Sequence, residues 1–472
     1  MATSMAAPWF GPRGLPPAFV LAVLSCWPMF VSGAVFIFPD STNYLDAGRE
    51  IWATVADALR LQAPGPDAVV DQGAAASPRA DKPWGPDYAR SLPYSAVVWP
   101  VLMHGGPWAL ALLQGTLVVF TAFALLDDRA LRRPAVLGFG ALGVVVLSPL
   151  PWYTVMQMPD ILGAVLLIWG AALVGPFDGM TRGQKAALTL IATFAAASHY
   201  GNMPLAFGIG LVVAALAAIR RSLSAAVVVS LAVVVVAPPV SNLIASRMVL
   251  DTTSAAPKRV PVLIARSIED GPAIEYLDEA CRDGADWEVC DAFRDGIPDR
   301  IDSFLWQEGG VRSLDEHAMQ RIREQEVGLF LTVLRKHPLR QGWALLKNTG
   351  RQFVRIGVTE IEAVTGWPDG GWSAPRAPEA DALVARFDVV VPIATGLAAL
   401  ALAGLWLAEG FPRPFRDGLV VVVLGLLGNA VIFGGLSAPV DRYQARIVWV
   451  VPILLVYALA ARRRFAQVRL GT

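Results

Sequence analysis

The sequence predicts an all-α polytopic membrane protein of about ten transmembrane helices, with a mainly helical extracytoplasmic insertion. Three observations carry the prediction. Hydrophobic residues make up 55% of the 472 positions and charged residues 17%, so most of the chain must face lipid. Apolar runs of spanning length recur along it. Lys and Arg gather in alternate connections between those runs.

The runs lie at 15–38, 107–126, 134–151, 160–177, 185–200, 203–219, 224–246, 386–408, 417–437 and 446–461. One set of connections carries Arg129, Arg132 and Arg133, then Arg182 and Lys185, Arg220 and Arg221, and Arg413 and Arg416. The tail adds Arg462, Arg463, Arg464 and Arg469, whereas PWYTVMQM and HYGNM hold no Lys or Arg. By the positive-inside rule both termini are cytoplasmic in a bacterial inner membrane. The first run is too long for a signal-peptide core and lacks a small-x-small cleavage site, so it is read as retained.

Two outer segments exceed simple connectors and divide the chain into 1–248, 249–385 and 386–472. The first outer segment, 39–106, opens with an amphipathic helix. There Leu45, Trp52, Val55 and Leu59 recur at helical spacing against Asp46, Arg49, Glu50 and Arg60. A Pro/Gly/Ala-rich loop from Ala63 to Pro86 follows, then a short apolar element from Tyr88 to Gly106 that is too brief to span. The second outer segment, 249–385, alternates polar helices with turns, and His337-Pro338 breaks its long helical stretch near 324–356. Within it Cys281 and Cys290 form an even pair on the oxidising side, which reads as a disulfide; no His or third Cys completes a zinc set. Cys26, inside the first run, reads as a packing residue.

Chemistry concentrates on the outer side. The acidic run FPDSTNYLDAGRE (Phe38 to Glu50) follows the first span directly, and carboxylates so close to hydrocarbon are costly. Asp40 is either a helix cap or a general base at the membrane surface. Asp160 starts span four after Pro159, where a carboxylate suits the helix dipole; beside Asp40 it becomes a candidate ligand for a divalent cation or an acceptor hydroxyl. His199 closes span five, as a structural histidine or a phosphate contact. Arg442 and Arg446 enter the last span four residues apart, on one helix face, as snorkelling anchors or as a clamp on an anion. These arginines break the charge rule for a short outer loop, which favours the clamp. Balanced charge, with 39 basic and 39 acidic residues, gives no support for nucleic acid. P-loop, HExxH, GxSxG and CxxC motifs are absent.

The acidic PDSxxY run after span one, the returning RSLPY element, the second Pro-Asp at span four and the arginines entering a late span resemble the GT-C superfamily. These are polytopic glycosyltransferases that use polyprenyl-phosphate sugars, such as the protein mannosyltransferases and aminoarabinose transferases. The resemblance covers roughly 15–220 and, more loosely, 417–461. It implies Asp40 as the general base of an inverting transfer, with Asp46 the second match, and Tyr44 beside them in the acidic run. It further implies Asp160 in metal or substrate binding, with Mg or Mn as the cofactor it allows, and Arg442 and Arg446 on the lipid phosphate. His199 joins as a substrate contact. The implied partners are a polyprenyl-phosphate-linked sugar, membrane lipids, and a glycan, lipid or protein acceptor. The insertion at 63–86 and a large outer domain between spans seven and eight depart from the family. A metal-independent ligase of the O-antigen type, a transporter or flippase, and a non-catalytic assembly subunit are the competing classes.

Overall fold

The computed structural model describes residues 15–59, 90–125, 134–256, 259–366 and 374–470. The Ala63–Pro86 loop, Arg60 and the basic residues Arg129, Arg132 and Arg133 lie outside these, as do the side chains of the C-terminal arginines.

The fold is mostly helical, with one short two-stranded sheet among the described residues. Six of the described helices are long and apolar enough to cross a membrane: Leu92–Phe123, Asn202–Arg220, Ala225–Leu250, Pro378–Glu409, Arg413–Gly435 and Asp441–Ala461. The expected count of about ten is not confirmed among the described residues. The other four apolar runs are helical but shorter or interrupted. Run 15–38 divides into Leu15–Leu24 and Trp27–Ser32 and ends in strand β1, Val35–Ile37. Run 134–151 divides into Pro134–Leu147 and Leu150–Val155, and run 185–200 forms the 16-residue helix Arg182–Ala197. Run 160–177 becomes a 3₁₀ turn, Pro159–Leu162, followed by Gly163–Leu173.

That last helix shows why one of the four is not a span. It has only 11 residues, about half of what crosses hydrocarbon, and every one is buried. Helix Asn202–Arg220 brings Ile209 against Gly170, and helix Arg413–Asn429 brings Val421 against Gly170 and Gly425 against Leu167. Its apolarity thus serves protein packing; hydropathy alone cannot separate that from contact with lipid.

A second correction concerns the returning outer element. It runs into the following span as one bent helix, Leu92–Phe123, kinked at Gly106. Gly106 has φ +66°, a left-handed conformation that glycine adopts without steric cost, and Pro107 lacks the N–H that would continue the ladder. The interfacial helix, Ser41–Ala58, packs on the first half of this bent helix. Gly48 there touches Ser95 and Trp99, leaving no space for a side chain, while Trp52 and Leu59 remain exposed.

Strand β1 pairs antiparallel with β2, Glu362–Val364, and Phe36 also bridges to Met156. Three distant segments therefore meet at one point: the end of the first run, the start of the central helix and the second outer segment. The 249–385 segment has its own core, built around Ile264, Leu277, Phe304, Met319 and Leu329. As expected, His337 separates two helices, Glu316–Lys336 and Pro338–Val354.

Cys281 and Cys290 form a disulfide with Cα atoms 5.3 Å apart, and Cys26 is free and buried. A loop this short contributes about 2–3 kcal/mol on the chain-entropy account. The Cys281→Ala/Cys290→Ala variant is expected to lose that much in local stability over 273–293, read as faster amide exchange there, with the membrane helices unchanged.

Candidate active site

The small sheet positions the site. Asp40 lies three residues beyond β1, Glu360 two residues before β2, and Asp160 four residues beyond the Met156 bridge. Backbone pairing also joins Gln157 to Phe36, whose carbonyl accepts from the Gln157 N–H at 2.9 Å. The fourth contributor is helix Asp441–Val448, whose Arg442 and Arg446 project toward the same point.

There the charges alternate. Arg90 pairs with Asp40. Arg442 lies 3.8 Å from Asp40 and 3.8 Å from Asp160, and Arg446 Nη1 donates to Asp160 Oδ1 at 3.2 Å. The sequence of groups is therefore Arg90, Asp40, Arg442, Asp160, Arg446. Aromatic faces cover the guanidinium groups: Phe38 lies 3.6 Å from Arg442, and Phe433 lies 4.1 Å from Arg446. Cation–π contact of this kind compensates part of the lost hydration.

A cavity of about 760 Å³ opens beside this ladder, between the membrane helices and the 249–385 segment. Asp40, Tyr44, Arg90, His199, Glu360 and Arg442 line its polar side. Leu263, Leu305, Trp306, Ile432 and Leu436 line much of the rest. A charged floor and apolar walls suit an amphiphile carrying an anionic headgroup.

The predicted residues thus divide into two groups. Asp40, Tyr44, His199 and Arg442 line the cavity. Asp160 and Arg446 are 0% exposed and stand behind its wall, where they brace Arg442. Asp46, on the interfacial helix, is not among the lining residues. Neither capping nor snorkelling accounts for the charged set. Asp40 occupies the N-cap position of Ser41–Ala58 without a side-chain cap hydrogen bond, and Asp160 makes none either. Arg442 and Arg446 are buried rather than reaching for the interface.

Protonation follows from these surroundings. Burial pushes the Asp40 carboxyl up, but Arg90 and Arg442 outweigh it and hold the group below its ordinary value. Glu360 goes the other way, because burial raises it more than Arg442 lowers it. In the turn between two helices, burial and the three nearby arginines hold His199 well below its ordinary value, so its ring is neutral. The Gly201 N–H donates to His199 Nδ1 at 3.1 Å, which assigns the remaining proton to Nε2. His199 is then a hydrogen-bond donor rather than a base.

A divalent cation fits this donor set poorly. The two aspartates each face guanidinium groups, and among the described residues no cluster of three His, Cys, Asp or Glu could hold a metal. Sequence reasoning passed over Arg90 and Glu360. Arg90 opens the RSLPY element and was available as a signal; Glu360 sits in an unremarkable polar stretch and was not.

Asp160→Ala leaves Arg446 buried without its carboxylate, and is expected to cost about 3–5 kcal/mol. An Asp160→Leu/Arg446→Met variant, apolar at both positions, is expected to recover most of that loss. Thermal unfolding in detergent measures both.

No family model matches the chain, and no curated protein or solved structure is significantly similar to it.

Proposed function

We propose that the protein is a GT-C-type glycosyltransferase of a bacterial inner membrane, moving a sugar from a polyprenyl-phosphate donor to a hydroxyl acceptor on the extracytoplasmic face. What supports this reading is one observation: an ionised carboxylate, Asp40, lies beside two arginines, Arg90 and Arg442, in a half-apolar cavity at the end of the membrane helices. Such a site can hold a lipid phosphate and a hydroxyl nucleophile together.

In this mechanism the acceptor O–H gives its proton to Asp40 as its oxygen bonds to the anomeric carbon. The bond from that carbon to the phosphate oxygen breaks, and its electron pair leaves with the phosphate. Arg442 and Arg90 meet the charge that develops there, and the configuration inverts. His199 Nε2–H and the Tyr44 hydroxyl are further groups that can donate to the bound headgroup. The paired Asp40 is a weak base while Arg90 holds it. An anionic phosphate that competes for Arg90 and Arg442 strengthens it, so donor binding prepares the base.

The test compares envelope glycan composition in a deletion strain complemented with wild type or Asp40→Asn at matched membrane levels. Loss of one sugar, restored by wild type and not by the variant, is the expected result. Transfer measured with purified protein is expected to fall about 10²–10⁴-fold in Asp40→Asn.

The pH profile follows from the sign of the shift. A lowered carboxyl stays ionised as pH falls past its ordinary value of 3.8, so kcat/KM, which reports the donor-free enzyme, is expected to have no acidic limb above that value. Arg90→Gln removes the dominant attraction and moves the limb upward. An acidic limb well above 3.8 in the wild type assigns the base to Glu360 instead.

A metal-independent glycan ligase is the second reading. It is favoured by the same arginines and His199 lining one cavity, and it is distinguished by full activity in Asp40→Asn with loss in Arg442→Lys.

A further inference from the structure

Helix Pro338–Val354 of the extracytoplasmic domain is amphipathic in the opposite sense to a soluble one. The side it buries is polar: Gln341, Asn348, Thr349 and Gln352. The side it exposes is apolar, with Leu339 86%, Trp343 66%, Leu346 62% and Val354 72% exposed. At about 100° per residue, Leu339, Trp343, Leu346, Phe353 and Val354 fall within a stripe roughly 100° wide. Arg340, Lys347 and Arg351 form a basic flank along one edge of it.

Three of the four residues on the buried polar face are hydrogen-bonded. Ser267 Oγ donates to Gln341 Oε1 at 2.6 Å, and Asn348 Nδ2 donates to both carboxylate oxygens of Asp270, at 3.0 and 2.9 Å. Gln352 donates to the Val440 carbonyl at 2.8 Å and accepts from the Val440 N–H at 2.9 Å. The helix therefore cannot rotate to hide its apolar stripe without breaking these bonds.

Its position identifies what covers that stripe. The helix packs against Ala430–Gly435, the end of the membrane-crossing helix Arg413–Gly435, with Gly434 against Gln352 and Gly435 against Leu345 and Thr349. The apolar stripe thus belongs to a helix seated by its opposite face on the end of a membrane-crossing segment. Arg340 is paired with Glu275, whereas Lys347 and Arg351 make no ion pair among the described residues. Both are exposed, and together with Arg266 they border a groove of about 300 Å³.

We propose that this helix lies in the boundary between headgroups and acyl chains of the leaflet on the cavity side. Its apolar stripe enters the lipid, and Lys347 and Arg351 hold anionic phospholipid headgroups. Charge complementarity and a seat on the end of a membrane-crossing helix commit the occupant to lipid rather than to a protein.

The chain's three cysteines are disulfide-bonded or buried, so Leu346→Cys supplies a unique accessible thiol for an NBD fluorophore. The labelled full chain is placed in vesicles of phosphatidylcholine with about one third phosphatidylglycerol. The expected result is strong quenching by lipids carrying a nitroxide high on the acyl chain, and protection from aqueous iodide. Nitroxide-bearing phosphatidylglycerol should quench at least about twofold more than its phosphatidylcholine counterpart, a preference lost in Lys347→Ala/Arg351→Ala. Free access to iodide overturns the proposal, since the helix is then in water. Protection from both iodide and lipid quenchers overturns it too, because a second copy of the chain then covers the face. Equal quenching by the two lipids in wild type overturns the headgroup assignment. Trp343→Cys, on the same exposed stripe, provides an independent label should the first variant fail to fold.

Discussion

Arg442 placed between Asp40 and Asp160 is the constraint on which the rest of the site depends. A guanidinium buried to 5% exposure loses most of its hydration and persists only where carboxylates and aromatic faces replace it. Two carboxylates alone would repel, and two adjacent arginines alone would repel as well. Alternation resolves both, and it requires five side chains from four separate stretches of chain to meet in a fixed order. The inner pair, Asp160 with Arg446, is fully dry and carries the ordering. The outer pair, Arg90 with Asp40, borders the cavity and keeps contact with what enters it.

Such a ladder needs a backbone that holds its members in register. Here a very small sheet suffices, because β1 and β2 pair directly and Met156 bridges to β1. Hydrogen bonds across those three segments set the heights of Asp40, Asp160 and Glu360 relative to one another. The fourth member, helix Asp441–Val448, is tied separately. The Asp441 N–H donates to Glu360 at 2.8 Å, and Asn429 Nδ2 donates to the Tyr443 carbonyl at 2.8 Å. Arg442 is therefore held from both ends of its first turn.

Position at the ends of apolar runs made much of the site legible in the sequence. Asp40, Asp160, His199, Arg442 and Arg446 all fall at such ends, and the structure gathers all five around one point. Depth was not legible. Helical spacing puts Arg442 and Arg446 on one face, yet only tertiary partners decide that one borders the cavity and the other is sealed behind it. Six rather than ten of the described helices are long and apolar enough to span, for a related reason. Hydropathy scores Gly163–Leu173 like a lipid-facing helix, although its neighbours surround it completely. Arg90 was overlooked although it opens the RSLPY element, because its carboxylate partner is set only by the fold. The disulfide and the His337 break needed only local chemistry, and both are present.

Helix Pro338–Val354 joins two environments that a soluble domain would keep apart. Its outward stripe is apolar, and its inward face ends in Gln352, whose two hydrogen bonds fix the backbone of Val440. Val440 immediately precedes the helix that carries Arg442. Arg355, at the end of the same helix, adds a hydrogen bond to the Pro439 carbonyl at 2.8 Å. A shift of this helix against its bed would therefore pull on the segment that aims the arginine into the ladder. Because the ladder tolerates few arrangements, a small displacement would break an ion pair rather than stretch it. The orientation of this one helix and the geometry of the charged floor are consequently a single structural variable.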